Sequence, residues 1–164
     1  MNLSHQLDLL RHLTQMDAVA VTASTATADR PAEVEDAISL SVTFSNGALA
    51  SAVASSAVRG FNGSELRLWG RAGQVIVEPH GRVYTLPAVD GLRTGRWYPF
   101  DGVPAVNSRA VFVSRFASAL HEGRPPDVTA QDGLAVQAIT EAAYRSSADG
   151  TRVSPSDLVA GDAR

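Results

Sequence analysis

The side chains near the start of the chain have types and spacing that could do chemistry. His5, Asp8 and His12 fall at i, i+3 and i+7 of a predicted amphipathic helix over residues 2–15. One stripe of that helix therefore carries two imidazoles and a carboxylate. Ser4 is the predicted N-cap of the helix. Imidazole and carboxylate groups bind metal ions in proteins, so a metal site is the first interpretation to consider.

The same spacing argues against a metal ion. Residues seven apart lie two turns apart, which separates the two imidazoles by about 10 Å along the helix axis. They cannot both ligate one ion. The chain has no cysteine, so a thiolate metal site, a disulfide and a cysteine nucleophile are excluded. We therefore expect no metal site.

Composition indicates an ordinary globular domain. The chain has 164 residues, 45% of them hydrophobic and 19% charged, with a net charge of −3. We expect one domain over residues 1–164, with the tail after about residue 155 loosely held. Its 14 basic residues, all arginines, are scattered, so no nucleic acid is expected. No signal peptide and no apolar run of membrane-spanning length is evident, which predicts no membrane partner and a cytoplasmic location.

The central stretch over residues 36–55 is predicted to be a β-hairpin. Apolar and small polar residues alternate on both sides of Asn46-Gly47, the strongest short-range signal for a two-residue hairpin turn. Pairing outward from that turn places Val42 opposite Ser51 and Leu40 opposite Val53. The large apolar residues of both arms then share one face of the sheet.

The opposite face of this hairpin would be flat and uncharged. We name it the Ala/Ser face, and its predicted members are Ala37, Ser39, Ser41, Thr43, Ala48, Ala50, Ala52 and Ala54. Exposed sheet faces usually carry charged side chains, so a surface of small residues predicts that something lies against it. A core layer beneath helices of the same chain and a subunit interface are both open at this point.

The other patterns predict more strands and then helices. Strands are expected over residues 18–28, 65–69, 74–78 and 83–86, and an edge strand over 97–100, where Pro99 cannot donate to a ladder. A helix with Phe112, Phe116, Ala119 and Leu120 on a buried face follows. A last helix starts at Thr129, with Asp132 completing a capping box, and stops at Gly150. The order predicts an α+β fold, an open and mostly antiparallel sheet with helices packed on one face.

The cofactor motifs that would allow hydride transfer do not occur in the chain. No G-x-G-x-x-G follows a predicted strand, and Gly70 and Gly73 join two strands as a hairpin turn. There is no P-loop and no G-x-S-x-G. We therefore expect this chain alone to bind no cofactor.

Several short motifs nevertheless resemble one known family in order along the chain. Residues 2–10 (Asn-Leu-Ser-His-Gln-Leu-Asp-Leu-Leu) resemble the motif that opens the C-terminal domain of the Gfo/Idh/MocA oxidoreductases, typically Asp-Leu-Ser-His-Glu-x-Asp. Residues 34–36 (Val-Glu-Asp) and 68–73 (Leu-Trp-Gly-Arg-Ala-Gly) are similar to later motifs. So are the segments 116–120, 123–126, 132–134 and 143–147. The resemblance spans nearly the whole chain.

The resemblance implies a fold and a function. The fold would be that of the Gfo/Idh/MocA C-terminal domain, which is dihydrodipicolinate-reductase-like. In such enzymes an N-terminal Rossmann domain holds NAD or NADP, and this domain lines the pocket for a small-molecule substrate and forms a homo-oligomer through its open sheet. His5 would be the general acid/base on the substrate hydroxyl, a task that suits imidazole because its pKa lies near neutral pH. Alternatively, His5 is a helix-start residue satisfied by a backbone carbonyl.

Two departures from the family pattern leave two functions open. Asn2 stands where the motif usually has Asp, and the Rossmann domain with its E-K-P lysine is absent from this chain. One hypothesis is the substrate-binding and oligomerisation half of an NAD(P)-dependent sugar or polyol dehydrogenase. The other is a stand-alone, non-catalytic module that dimerises and binds a small ligand. In neither case is this chain expected to transfer hydride alone.

The predicted substrate-binding residues combine amide, carboxylate, guanidinium and indole groups. Arginine can hold a polyhydroxylated ligand through two parallel hydrogen bonds, and tryptophan can stack on it. The residues are Asn2, Asp8, Arg59, Arg96 and Trp97. For Trp97 the alternative is ordinary packing at a rim.

Overall fold

The order of helices and strands is the one the sequence predicts, with one short helix added at the end. The computed structural model describes residues 3–27, 34–57, 65–77, 82–87, 91–99 and 107–161. Its elements are α1 (Ser4–Thr14), β1 (Ala18–Ala26), β2 (Ala37–Phe44), β3 (Leu49–Ser55), β4 (Leu66–Gly70), β5 (Gly73–Val77), β6 (Arg82–Thr85), β7 (Trp97–Pro99), α2 (Ser108–His121), α3 (Ala130–Asp149) and α4 (Pro155–Gly161). They fall into two compact units, Met1–Arg59 with Ser118–Arg164, and Gly60–Ala117.

The first unit is a three-stranded antiparallel sheet with helices on one face. The strand order is β1-β2-β3, and β2 alternates strictly between buried and accessible residues. Its buried side chains pack with Leu7 of α1 and with Ile139 and Ala142 of α3 in one hydrophobic cluster. Those buried side chains are Ile38, Leu40, Val42 and Phe44. The predicted strand and its inward face are confirmed.

The turn of the central hairpin differs from the prediction by one residue. The N–H of Gly47 donates to the oxygen of Phe44 at 2.9 Å, and the N–H of Phe44 donates to the oxygen of Ala48 at 2.9 Å. Gly47 has φ +85°, so residues 45–47 form a three-residue loop with a left-handed glycine at its end. Val42 therefore pairs with Ala50, and the predicted pairing with Ser51 is wrong.

This shift of one residue turns every side chain of β3 to the other face of the sheet. The alanines predicted for the Ala/Ser face pack instead against the core, half-buried; they are Ala48, Ala50, Ala52 and Ala54. The opposite face is called the outer face below. Its members are Thr22, Ser24, Ser39, Ser41, Thr43, Leu49, Ser51 and Val53. The residues of β2 that were assigned to the Ala/Ser face thus lie on the outer face, as predicted. The four alanines at positions 48–54 that were assigned to it lie on the core side, and Leu49, Ser51 and Val53 take their place.

The free edge of β1 is closed by α3 and by the segment that follows it. The backbone groups of Val21 and Val153 exchange two hydrogen bonds of 2.8 and 2.9 Å. The next two N–H groups on this edge donate to serine hydroxyls of α3, Ala23 to Ser146 at 3.0 Å and Thr25 to Ser147 at 2.9 Å. Helix α3 therefore completes the hydrogen bonding of the edge strand as well as covering the core.

Both ends of α3 follow the sequence signals. Thr129 and Asp132 form the predicted capping box, and Gly150 ends the helix in the left-handed conformation. The chain then continues into α4, where Pro155 is buried and Leu158 packs against the core. The segment after residue 155 was expected to be loosely held, and up to Gly161 it is a helix instead.

Helix α2 does not bury the face predicted for it. Of the four residues predicted there, only Ala119 is buried, whereas Phe112 is 60% exposed and Leu120 is 63% exposed. Phe112 and Phe116 stack on each other, with ring centroids 6.5 Å apart. The periodicity correctly predicted a helix with an apolar side, but periodicity does not determine whether another element covers that side.

The second unit contains a four-stranded antiparallel sheet in the order β4-β5-β6-β7. Its first hairpin turns at residues 71–72, and β7 with Pro99 lies at an edge, both as predicted. Gly73 has φ +152°, and a Cβ atom at this position would lie 1.9 Å from the carbonyl oxygen of Tyr84. The close approach of β5 to β6 therefore requires glycine at this position.

The predicted fold class is confirmed, because antiparallel strands and helices make up both units and neither forms a closed barrel. The predicted single sheet is not seen, since the described strands form two sheets. One domain over residues 1–164 stays a prediction. None of the helices within the described ranges has the length and apolar character needed to span a membrane.

Replacing Gly73 with alanine should destabilise the second sheet. The added methyl group overlaps the backbone of β6, which cannot move without breaking strand pairing, so we expect a loss of roughly 2–3 kcal/mol or more. Gly70→Ala is the control, because its nearest neighbour would lie at 3.8 Å, an ordinary contact. Urea unfolding, followed by tryptophan fluorescence, measures the stability of both variants. Equal midpoints for the two variants would contradict the close approach.

Replacing Asp132 with asparagine should weaken α3 in a pH-dependent way. Hydrogen bonds from the Thr129 side chain and backbone, and the charge of Arg11, hold the pKa of Asp132 below its ordinary value of 3.8. The carboxylate therefore stabilises the fold above that pH, and this contribution is lost as the pH falls through the lowered pKa. Because the side chain is 37% exposed, we expect only about 0.5–1 kcal/mol at pH 7.

Thermal unfolding of Asp132→Asn between pH 2 and 7 tests this expectation. The difference from wild type should be constant near neutrality and shrink below about pH 4. Glu141→Gln removes the same charge from an exposed pair with Arg145 on the same helix, and should change stability little. A difference for Asp132→Asn that does not vary with pH would contradict the role of the charge.

Candidate functional site

The candidate catalytic residue lies in the first turn of α1. His5 is exposed, and Asp8 is half-buried on the same side of the helix. The helix begins after Leu3, which makes no side-chain capping bond, so the predicted N-cap at Ser4 is wrong. No hydrogen bond joins His5 to another side chain of the described residues. The imidazole is therefore accessible from solvent.

The opposite side of α1 is fixed to the rest of the first unit. Leu3 and Leu7 are buried in the core cluster. Further along, the Arg11 guanidinium lies 3.5 Å from the Asp132 carboxylate of α3 and 3.4 Å from the Asp17 carboxylate. Hydrophobic packing near the start and ion pairs near the end hold the helix, so the position of His5 is set by a rigid element.

A polar group that the sequence did not reveal lies beside His5 in the chain. The amide oxygen of Gln6 is buried and accepts no hydrogen bond from the described residues. Buried acceptors are nearly always satisfied, so this oxygen requires a donor. Only three-dimensional burial distinguishes Gln6, because a glutamine in an amphipathic helix is usually a surface residue.

Of the predicted substrate-binding residues, Asp8 lies in the first unit, and Arg96 and Trp97 lie in the second. Asn2 and Arg59 lie outside the described residues. Arg96 has its guanidinium 5.4 Å from the centre of the Tyr98 ring, at one side of the second sheet. Trp97 precedes Tyr98 in β7 and so points to the other face. The roles of Arg96 and Trp97 in substrate binding stay predictions.

One polar pair joins two segments of the chain that no sequence pattern predicts to be in contact. The hydroxyl of Tyr144 in α3 donates to both carboxylate oxygens of Glu35, at 2.8 and 3.0 Å. Burial, then the hydrogen bond to Glu35 and its negative charge, raise the pKa of Tyr144 to about 12. The phenol therefore stays protonated at neutral pH. It acts as a hydrogen-bond donor and not as a general base.

Two features of the described residues bear on metal and phosphate binding. No group of three histidine or acidic side chains is placed to bind a metal ion there. Helix N-termini bind phosphate when their N–H groups are free. In α3 the N–H of Asp132 donates to the Thr129 side chain, and the N–H of Thr129 donates to the Asp132 carboxylate. In α2 the N–H of Ala110 donates to Asn107 Oδ1 at 3.1 Å. We therefore do not assign the N-termini of α2 and α3 to NAD or NADP.

One family model matches the first part of the chain. Residues 2–76 match the family model described as the GFO/IDH/MocA C-terminal domain. That segment contains α1 with His5, the first sheet and the hairpin of β4 and β5. No curated protein sequence matches the chain.

Solved structures of oxidoreductases share the fold. An aldose-aldose oxidoreductase from Caulobacter crescentus, complexed with glycerol, is 28% identical with a TM-score of 0.78, over 92% of this chain and 45% of that one. An oxidoreductase from Agrobacterium radiobacter with NAD+, L-tartaric acid and magnesium is 19% identical with a TM-score of 0.79, over 94% and 48%. A levoglucosan dehydrogenase with NADH and levoglucosan is 22% identical with a TM-score of 0.74, over 92% and 48%.

These comparisons differ in what they show. The chain spans less than half the length of each of these three structures. The two that are less than 25% identical show the fold alone. The match of residues 2–76 includes the motif around His5, and the fold agrees over more than nine-tenths of the chain. Residues 2–76 therefore match the Gfo/Idh/MocA C-terminal domain, and the whole chain shares its fold with solved oxidoreductase structures.

Proposed function

We propose that this chain is the substrate-binding and oligomerisation part of an NAD(P)-dependent oxidoreductase that acts on a sugar, polyol or related hydroxy compound. The observation that carries the proposal is an exposed histidine in the family's opening motif, on a helix fixed at both ends. The names of two relatives support a sugar substrate, since one is an aldose-aldose oxidoreductase and the other a levoglucosan dehydrogenase.

In this proposal His5 is the general acid/base. It takes the proton of the substrate hydroxyl while hydride leaves the same carbon, and it returns a proton in the reverse direction. Asp8 lies on the same side of α1 and would contact the substrate beside it. Asn2, Arg59, Arg96 and Trp97 are proposed to complete substrate binding. NAD or NADP would be held by the N-terminal domain of the complete enzyme.

Replacing His5 with alanine in the complete enzyme should lower kcat by roughly 10²–10⁴-fold, the usual contribution of a general acid/base. The affinity for NAD(P)H should stay unchanged, because this helix is not assigned to the cofactor. Steady-state kinetics of the complete enzyme and a fluorescence titration with NAD(P)H measure the two quantities.

His12→Ala is the matched control for that experiment. It removes an exposed imidazole from the same helix, about 10 Å further along the axis, and should change kcat by no more than a few-fold. Equal activity of wild type and His5→Ala would remove His5 from the mechanism. A similar loss in both variants would indicate damage to α1.

The outer face of the first sheet is proposed to be a homo-oligomer interface. It contains only uncharged residues, and it presents Leu49 and Val53 at 80% and 77% exposure. Depletion of charge and exposed aliphatic side chains are features of surfaces that bind protein. The helices of the first unit pack on the opposite face, so this surface is open to a second copy of the chain.

Two neighbouring substitutions in β3 test this interface. Ser51→Arg adds a charge to the outer face, where an unpaired buried charge in an oligomer costs several kcal/mol, enough to dissociate a dimer of ordinary affinity. Ala52→Arg adds the same side chain to the core side, where it should unfold the first unit. Light scattering and circular dichroism should therefore find a folded monomer for Ser51→Arg and lost structure for Ala52→Arg. An unchanged oligomer in Ser51→Arg would exclude this face.

A further inference from the structure

Aromatic side chains form a line across the sheet of the second unit. Strand pairing sets Trp69 opposite Gln74, Gln74 opposite Tyr84, and Tyr84 opposite Trp97. Directly paired residues point to the same face of a sheet, so these four side chains form one row, one from each strand. We call it the aromatic row. The row depends on the register of all four strands, so it cannot be predicted from the order of residues in the sequence.

The two ends of the aromatic row differ in how firmly they are held. Trp97 packs against Tyr84 with ring centroids 5.6 Å apart and planes inclined at 55°. The Arg82 guanidinium lies 5.7 Å from the centre of the Trp97 ring, so the indole is supported from a second side. Trp97 is 38% exposed, and Trp69 at the other end is 71% exposed. The row thus combines two rings that pack against each other, Tyr84 and Trp97, with one exposed ring, Trp69.

The dimensions of the row suit an extended ligand. Neighbouring strands lie about 4.8 Å apart, which places Trp69 roughly 10 Å from Tyr84 and about 14 Å from Trp97. Gln74 stands between the first two rings and offers both a hydrogen-bond donor and an acceptor. A ligand lying across the strands would therefore meet a ring, an amide and two more rings in succession.

We propose that the aromatic row binds a linear oligosaccharide of β-linked, glucose-type sugars. Such pyranoses carry their hydroxyls around the rim and present C–H groups on both faces, so each sugar can stack on an aromatic ring. The rim hydroxyls would reach the Gln74 amide. An extended chain of several sugars matches a row of this length. This inference goes beyond the proposed oxidoreductase function: the two share Trp97, but the row does not use His5 or α1, and its test residue Trp69 has no part in that function.

The charges on the same face favour a sugar over a second copy of this chain. Arg67 and Arg82 lie one pleat away from the aromatic row on its own face, and charged residues are depleted at the centres of protein interfaces. The outer face of the first unit, by contrast, is uncharged. Single-stranded nucleic acid also stacks on aromatic rings, but it needs an extended basic groove, and the chain has a net charge of −3.

Tryptophan fluorescence gives a direct measurement. The chain has only two tryptophans, and both are in the aromatic row, so any change in indole emission reports on this surface. Titration of the full chain with cellopentaose should give a saturable change, confirmed by calorimetry. Maltopentaose, whose α-linkages curve the chain, should bind at least tenfold more weakly. No saturable change with cellopentaose up to millimolar concentration would overturn the proposal.

Variants separate the row from other exposed rings. Trp69→Ala should weaken cellopentaose binding at least tenfold by calorimetry, and Trp69→Tyr should restore most of it, because a ring is retained. Phe112→Ala removes an exposed ring of α2 and should leave binding unchanged. Equal losses in Trp69→Ala and Phe112→Ala would overturn the assignment. Because Trp69 is exposed, circular dichroism should show native structure for its variants.

The remaining outcomes identify a different occupant or a different site. A change of oligomeric state in Trp69→Ala, measured by light scattering, would show that a second copy covers this face and would overturn the proposal. Salt-dependent binding of oligo(dT) tighter than that of cellopentaose would do the same. Unchanged cellopentaose binding in His5→Ala is expected, which keeps this test independent of the oxidoreductase function. Loss of binding in that variant would place the sugar at α1 instead.

Discussion

The register of the first sheet depends on one backbone conformation, the left-handed Gly47. With φ at +85°, this glycine lets the chain reverse in three residues, and so β3 pairs with β2 one position away from a two-residue turn. The alanines of β3 consequently face the core, where α1 and α3 also pack, and the aliphatic residues Leu49 and Val53 face outward. The chemical character of both faces follows from this single turn.

The sequence predicted the elements better than their arrangement. The capping box at Thr129, the stop at Gly150 and the hairpin around residues 71–72 were correct because each signal lies within a few residues. The prediction of the central turn was wrong by one residue, because Asn-Gly is compatible with loops of two and of three residues. The covered side of α2 was wrong for another reason: burial depends on distant elements, and periodicity contains no information about them.

The candidate site shows the same division. His5 and Asp8 could be predicted to share a stripe, because helical spacing relates them directly. Glu35 and Tyr144 meet although 109 residues separate them, and no local pattern indicates that pairing. Arg96 and Trp97 were both predicted to bind substrate, and the sequence does not indicate which neighbours each side chain has. Their surroundings differ, since Arg96 lies over Tyr98 and Trp97 packs on Tyr84, on opposite faces of β7.

The serine hydroxyls of α3 on the edge of β1 have a consequence for how the protein avoids aggregation. An unpaired strand edge is a template for strands of other chains, and N–H groups already bonded to Ser146 and Ser147 cannot serve as one. On the same strand, the backbone of Val21 is occupied by Val153. This edge is closed to strand addition without charged or proline residues, so β1 can remain a nine-residue, uncharged and alanine-rich strand without becoming a site of fibril growth.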